Sequence, residues 1–518
     1  MKSAIIIDGY VDEPAVLGVP PYLSTYARYI AGTLIFKGFE VKYTTIDEVR
    51  KKNLFSSFNN FDVMVILSSI TVPGKYIGGT PISIDEIKKI FSSNKKPFRI
   101  LTGATVNFIN DPDEVYADDL AIDFLKYAFE KVDYEIIRNV SLLGAEIVKM
   151  HPRFPDIICE IEVSLGCERK TYCTFCSEPI LHPKFISRPV KDIIDEIEKL
   201  YKNGVKAFRL GRSANILAYG FDKNSNKLNV SLIKELYNGI RNVAPKLEVL
   251  HTDNANPAFI AQHFPDSAKA IEIIVENNTE GDIFSFGVES FDEVVRKKNN
   301  IQGTVEDIDF AIKLVNEIGG IRINGIPKLL PGLNFIFGLA GETKKSYEIL
   351  YQKLKYYLEN NILLRRINLR QLMIVPNTPL WYYNQRKRLK VNKALFKHYK
   401  YLIRNEIDKE MIKKVFPKGS IVKGVIPEFV EGNITFGRPL GTYPILVGVI
   451  GKFDKKSDIY IVDHGMRSIT GIVLGKKVAE YSIGELAKIP GISKSKAEKL
   501  KKKYPSIALN EILEVDLD

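Results

Sequence analysis

The hydrophobic pattern of the chain falls into three regimes. Over residues 1–150, short apolar runs alternate with amphipathic stretches. Ser3–Asp8 reads as a buried strand, Pro21–Gly38 as a helix closed by its glycine, and Glu40–Thr45, Asp62–Leu67 and Phe98–Thr102 as further strands. Apolar strands separated by helices predict an open parallel sheet covered on both faces. Gly74, Gly78, Gly79 and Gly103 fall where strand-end loops lie, but they form no phosphate-binding fingerprint. From about Asp156 to Val375 the alternation repeats six times, with strands at Ile157–Leu165, Ala207–Leu210, Leu247–Leu250, Ile283–Phe286, Leu333–Gly338 and Ile367–Ile374. In the first intervening helix Val190, Ile193, Ile194, Ile197 and Leu200 share one face, and Gly204 ends it. Polar and glycine residues gather just after the strands, at Gly211–Asn215, His251–Asn256, Gly287–Ser290 and Leu339–Thr343. Parallel α/β barrels build their sites at those strand ends.

Beyond the sixth strand the pattern changes. Residues 385–416 read as a basic helical connector, whose default interpretation is a solvated face. Short glycine-punctuated strands follow at Ile421–Ile426, Pro444–Ile450, Asp458–Val462 and Ser468–Val473, and they suggest a small barrel. Ser482–Leu500 reads as a helix, a Pro-Gly hairpin and a second helix rich in lysine. The expected layout is a Rossmann-like sheet domain at 1–150, a partial (β/α)6 barrel at 151–384, the connector at 385–416, a small β-barrel at 417–475 and the helical hairpin at 476–518.

At 518 residues, such a division is in keeping with ordinary domain sizes. No apolar run reaches the length of a membrane helix, and no leader-like segment opens the chain, so no membrane partner is expected. The net charge of +12 points to an anionic partner, although a lysine-rich thermophile surface gives the same figure. Only four cysteines are present, and three of them, Cys167, Cys173 and Cys176, lie within ten residues. That usage fits a reducing cytoplasm and excludes a disulfide framework.

Thiolates this dense are soft ligands that select zinc or an iron–sulfur cluster. A structural zinc wants a fourth ligand, and the candidates are Cys159 and His182. Eight strand residues at about 3.3 Å each would carry Cys159 some ~26 Å from Cys167, which makes it a buried thiol outside the site. His182 leaves the zinc alternative open. The other reading is a cluster with three protein ligands and one open iron.

The loop resembles the radical S-adenosylmethionine (SAM) superfamily, whose three cysteines follow the first strand of a partial barrel. The spacing here is five residues then two, in place of the usual three then two. The resemblance implies a 4Fe–4S cluster on Cys167, Cys173 and Cys176, and SAM held by the open iron. It places Phe175 by the adenine. The segment Lys206–Asn215, with Gly211 and Ser213, occupies the position of the motif that meets the cofactor's amino group, although the usual acidic residue is missing. Gly287–Ser290 is similar to a motif whose glutamate, here Glu289, faces the cofactor. Phe335–Thr343, containing Phe337 and Gly338, resembles the stretch bordering the adenine, with Ala340 where the family has proline. The Lys206–Asn215 segment looks most like its methylthiotransferase version, and the domain order resembles that of methylthiotransferases and of an archaeal-type group ending in a helix–hairpin–helix.

The first domain resembles the cobalamin-binding type. Cobalamin stays open as a cofactor, but without a His ligand, because residues 1–150 contain none. The small barrel, with Val430–Gly432 and Ser468–Gly471, resembles the RNA-binding TRAM domain. In the helix–hairpin–helix, Gly491 would let backbone approach a phosphate, with Lys494 and Lys496 beside it. The implied activity is reductive cleavage of SAM to a radical that modifies RNA, with tRNA favoured and ferredoxin or flavodoxin as electron donor. The alternatives are a radical SAM enzyme acting on a small molecule, with or without cobalamin, and a metal-stabilised nucleic-acid binding protein without catalysis.

Overall fold

The structure is a computed structural model that describes residues 2–10, 21–68, 78–103 and 133–515. Gly74 lies outside the described residues. The chain divides into two compact units: Met1–Ser164 with Ser187–Arg212 and Glu235–Leu250, and Leu165–Ile186 with Ser213–Lys234 and His251–Asp518.

The first unit holds two parallel sheets. In one, β1 (Ser3–Asp8), β3 (Glu40–Thr45), β4 (Val63–Ser68) and β5 (Phe98–Gly103) are ordered β3-β1-β4-β5. Every residue of β4 is buried, as a strand covered on both faces must be. In the other, β2 (Tyr22–Leu23), β6 (Ile158–Glu162), β7 (Ala207–Gly211) and β8 (Val249–His251) run in the order β8-β7-β6-β2. Tyr22–Leu23 is thus a strand where the sequence predicts helix. The helix α1 begins only at Thr25 and runs to Phe36, because Ser24 caps it by accepting the Ala27 N–H. Cys159 sits inside β6 in register with Leu23 and Phe208, and burial pushes its thiol up to about 11.

Beside β6, α1 and α2 (Val190–Lys202) bury a charged triad. Glu196 receives Arg28 at 2.9 Å and Arg188 at 2.5 Å, and all three side chains are fully buried. Burial alone would raise the Glu196 carboxyl, but Arg188 and Arg28 more than reverse this and hold it below the usual range.

In the second unit, β9 (Asn254–Ala255), β10 (Asp282–Glu289), β11 (Leu329–Phe337) and β12 (Arg366–Gln371) form a parallel sheet in that order. α3 (Glu293–Lys298) and α4 (Lys344–Glu359) follow β10 and β11 in the chain. The segment read as a solvated connector is half core. After α5 (Pro379–Lys387), α6 (Lys393–Leu402) passes through a π-helical turn, Ile403–Asp408, into α7 (Lys409–Val415). Phe396, Tyr399, Ile403, Ile407, Met411 and Val415 are buried, and Tyr399 packs on Tyr347 of α4. Lysines dominate the composition, but they alternate with an apolar stripe at helical spacing.

Five strands then close a barrel: β13 (Ile421–Glu431), β14 (Ile434–Arg438), β15 (Leu446–Ile450), β16 (Ser457–His464) and β17 (Ser468–Val473). Their order is β13-β14-β15-β17-β16, with β15 and β17 parallel, the arrangement of an OB-type barrel. β14 escaped the sequence reading because its five residues include Gly437 and Arg438. The helices α8 (Ile483–Leu486), α9 (Lys494–Lys503) and α10 (Leu509–Val515) complete the chain. They share one core with the barrel, in which Tyr460, Val462 and Ile472 meet Leu486, Ile489, Leu500 and Leu509.

Replacing Glu196 with Ala should cost about 3–5 kcal/mol, because it leaves two buried guanidiniums without their anion. The folded-state carboxyl is depressed, so its stabilisation is full above the ordinary Glu value of about 4.3 and lost as pH falls below it. Urea unfolding at neutral and acid pH checks this. An unchanged midpoint in Glu196→Ala would show that the triad contributes no stability.

Candidate functional site

The cysteine loop has little regular structure, so other elements must satisfy its backbone. The Gly166 N–H donates to Glu178 Oε1 at 3.0 Å, and the Thr174 N–H to the Asn299 carbonyl at 3.0 Å. Carbonyls of the loop accept in turn. Cys167 receives Lys223 Nζ at 2.9 Å, Thr171 receives Gln302 at 3.1 Å, Tyr172 receives Asn300 at 2.8 Å and Thr174 receives the Leu380 N–H at 2.8 Å.

Cys173 is buried, while Cys167 and Cys176 are half-buried. Burial pushes the Cys167 thiol up to about 12 and the Cys176 thiol up to about 11, with Arg169 opposing both. Arg169 Nη1 donates to Cys173 Sγ at 3.0 Å, and its Nε is buried without a hydrogen-bond partner among the described residues. No group of three or more His, Cys, Asp or Glu among the described residues is arranged to hold a single metal ion. A cubane makes a different demand, since each thiolate binds its own iron. Three thiols on one braced loop, beside a guanidinium that favours thiolate, fit such a group. His182 ends the short helix Glu178–Leu181.

Phe175, Cys173 and Cys176 pack together with Leu339, Ala340 and Leu380. From β11 it is Ile336 that joins this cluster. Phe337, one residue on, points the other way and packs on Tyr347 and Phe396 at 4.9 and 5.1 Å. Gly338 turns the chain at φ 100°, and its N–H donates to Glu342.

Glu289 ends β10 at φ 63°, beside a register shift between Gly287 and Glu289 in the pairing with β11. A non-glycine residue in that region is strained, and bulges commonly re-aim a side chain next to a site. Burial pushes the Glu289 carboxyl up to about 7 against the pull of Arg370, Arg169 and Arg296. Ser213 is buried, its Oγ accepts the Asn215 N–H at 3.2 Å, and its carbonyl accepts Asn254 Nδ2 at 3.0 Å. Gly211 lies in the first unit, where a Cβ would stand 2.5 Å from Glu160 Oε1.

Several residues that brace this site went unread in the sequence. Asn299 donates to the Ala340 carbonyl at 2.9 Å while its own carbonyl holds Thr174. Arg296 donates to the carbonyls of Val288 and Ser290, fixing the backbone on either side of Glu289. Glu168, next to Cys167, accepts the side-chain amides of Asn215 at 3.0 Å and Asn256 at 2.9 Å. In the first unit, Glu160 pairs with Arg209 at 3.3 Å, and burial pushes the neighbouring Glu162 carboxyl up to about 7. Their strand alternation was visible in the sequence, but the inward direction of the acids was not.

In the C-terminal helices, Gly491 adopts φ 84° with open space around it, and Ser493 caps α9 by accepting the Lys496 N–H at 3.1 Å. Gly491, Lys496, Lys418 and Tyr460 line a cavity of about 180 Å³, whereas Lys494 begins the helix α9.

The family profile described as the Radical SAM superfamily matches residues 161–354, which span the cysteine loop, Ser213, Glu289 and Gly338. The chain belongs to the radical SAM superfamily. It is 39% identical to an uncharacterised protein of Archaeoglobus fulgidus over 94% of this chain and 92% of that one. Two partial likenesses are to methylthiotransferases. One is a tRNA-2-methylthio-N(6)-dimethylallyladenosine synthase of Buchnera aphidicola, 28% identical over 44% of this chain and 46% of that one. The other is a ribosomal protein uS12 methylthiotransferase of Phocaeicola vulgatus, 26% identical over 38% and 40%. The radical SAM protein is an enzyme, and its family implies an iron–sulfur cluster and SAM. Among its described residues, no helix is long and apolar enough to cross a membrane.

Exchanging Glu168 for Leu should strand the Asn215 and Asn256 amides in a buried setting, at about 1–3 kcal/mol for each donor left unpaired. Urea unfolding of the metal-free protein measures this. A loss below about half a kilocalorie would mean that the amides find other partners.

Proposed function

We propose that the enzyme binds a 4Fe–4S cluster on Cys167, Cys173 and Cys176, cleaves SAM reductively and modifies an RNA, with tRNA the favoured substrate. When bound, the cluster supplies the electron that opens SAM, and a ferredoxin- or flavodoxin-type donor restores it. The chain's own residues orient and shield. The braced loop 166–178 leaves its thiols for iron. Phe175, with the turn at Gly338, supports the adenine, and the family's motif assigns Ser213 and Gly211 to the amino acid part. Glu289, strained at the end of β10, faces the cofactor by the family's motif, and the neighbouring arginines favour its ionised form. Phe337 supports this pocket only from behind. The chemistry belongs in a reducing cytoplasm.

RNA is favoured by one observation above the rest: an OB-ordered barrel that shares its core with a lysine-rich helical tail. On the barrel, Phe429 and Phe436 stack at 5.2 Å and remain half-exposed, a surface suited to bases. We assign the barrel as TRAM-like and the tail as a helix–hairpin–helix that meets phosphate at Gly491, Lys494 and Lys496. The layout 1–150, 151–384, 385–416, 417–475 and 476–518 is part of the same reading. Residues 1–150 supply no His to cobalt, and no step requires cobalamin.

Anaerobic reconstitution should give one 4Fe–4S cluster by iron analysis and electron paramagnetic resonance. Cys167→Ala, Cys173→Ala and Cys176→Ala should lose it, while Cys159→Ala and His182→Ala keep it, and reduction with SAM should release 5′-deoxyadenosine. Stoichiometric zinc without iron would overturn the assignment.

Because the tail and barrel share a core, charge reversal tests RNA binding more cleanly than truncation. Lys494→Glu with Lys496→Glu should weaken bulk tRNA binding and make the log–log salt slope shallower by roughly 1.4, at about 0.7 per phosphate contact. Iron content should not change. Unaltered affinity and slope would remove the tail from the RNA interface.

A further inference from the structure

The helix α5 stands beside the cysteine loop and has no part in the reading above. Thr378 caps it by accepting the Trp381 N–H at 3.2 Å, Pro379 opens it, and Arg388 ends it in a left-handed conformation. Both ends are pinned. Leu380 is buried, donates its N–H to Thr174 between two of the cysteines, and packs with Cys173 and Phe175. Leu389 joins the same cluster, and Val391 sits so close to Gly338 that a Cβ there would stand 2.7 Å from it.

The outward face is unusual. Tyr382 and Tyr383 are 53% and 41% exposed, and one helical turn on, at i+4, stand Arg386 and Lys387, also exposed. Trp381 meets Tyr382 edge-on at 4.8 Å. Large aromatics side by side in water mark an interaction surface more often than a chance of composition. The charge along this part of the chain has one sign: from Asn360 to Asn405 the chain carries eleven Lys and Arg and no Asp or Glu.

We infer that this face is the platform for an unpaired stretch of the RNA substrate, with bases stacked on Tyr382 and Tyr383 and phosphates held by Arg386 and Lys387. The inference rests on the RNA reading and deepens it. Rings can stack on a protein only when bases are free of their own helix, so the ligand is single-stranded at this point. Basic residues alone would accept any polyanion, and the tyrosines narrow the choice to a ligand with flat faces. A helix tethered to Thr174 would bring that strand to the mouth of the cluster loop.

The chain contains one tryptophan, so its fluorescence reports on α5 alone. The probe is a fluorescein-labelled oligoadenylate of about twelve nucleotides, long enough for one such platform. Binding to the full-length, reconstituted protein is followed by anisotropy and, with unlabelled probe, by Trp381 emission. RNA should quench Trp381. Tyr382→Ala and Tyr383→Ala should each weaken binding roughly five- to hundred-fold, the range expected for one lost stacking partner, without changing the salt slope. Arg386→Glu with Lys387→Glu should make that slope shallower by roughly 1.4. Iron content and circular dichroism confirm that the variants fold. If RNA binds by anisotropy but Trp381 is silent and the tyrosine variants bind normally, the platform is refuted while the RNA reading stands. If polyglutamate displaces the RNA and the tyrosine variants are indifferent, the face serves an acidic protein and the inference fails. If the unaltered protein binds no RNA, the function proposed above fails first and takes the platform with it.

Discussion

A loop that keeps three thiols free for metal cannot spend its backbone on helix or strand. Most of the hydrogen bonds of residues 166–176 therefore come from elsewhere, and in this enzyme they come from the ends of other elements, through side chains and backbone alike. Glu178, Lys223, Asn299, Asn300 and Gln302 each hold one point of the loop. The five-residue spacing between the first two cysteines lengthens the stretch to be held, and the added length is where Asn300 and Gln302 attach. The loop is held in place by its surroundings, which are spread over more than two hundred residues of chain.

The same economy explains the buried charges. Arg296 works through hydrogen bonds to backbone: it gathers the carbonyls on both sides of Glu289 and so fixes a strained residue in place. Glu168 does the reverse, as one carboxylate collecting two amides. In both, a long polar side chain replaces missing secondary structure, and removal would leave several groups unpaired at once.

Much of the fold was legible in the sequence because periodicity is local. Uniform runs such as Val63–Leu67 and the polar clusters after each strand can be read from neighbours alone. Tyr22–Leu23 could not be: two residues carry no period, and their strand exists only because β6 lies alongside. The cysteine loop announced itself by composition. Its braces did not, since Asn215, Asn256 and Asn299 are ordinary loop residues until the chain folds back on itself. Phe337 shows how fine the margin is. A motif gives a residue its neighbourhood, but strand parity decides which way it faces, and here parity chose Ile336. Trp381, Tyr382 and Tyr383 escape a reading by composition because the basic run at 385–416 begins just after them, which separates the aromatic half of α5 from its charged half.

The pairing of Tyr22–Leu23 with Ile158–Cys159 has a consequence for how the chain comes to be folded. On a ribosome, the N-terminal sheet is complete once Phe98–Gly103 has emerged, yet the strand between its first two members must wait for a partner well over a hundred residues downstream. Contacts of such long range close slowly, and an unpaired strand edge is exposed meanwhile to other chains. The second sheet of the first unit therefore cannot begin to form until β6 has been made. Tyr22–Leu23 finds its partner only with the arrival of β6, so the segment that carries the cysteines follows directly on the strand that pairs with it.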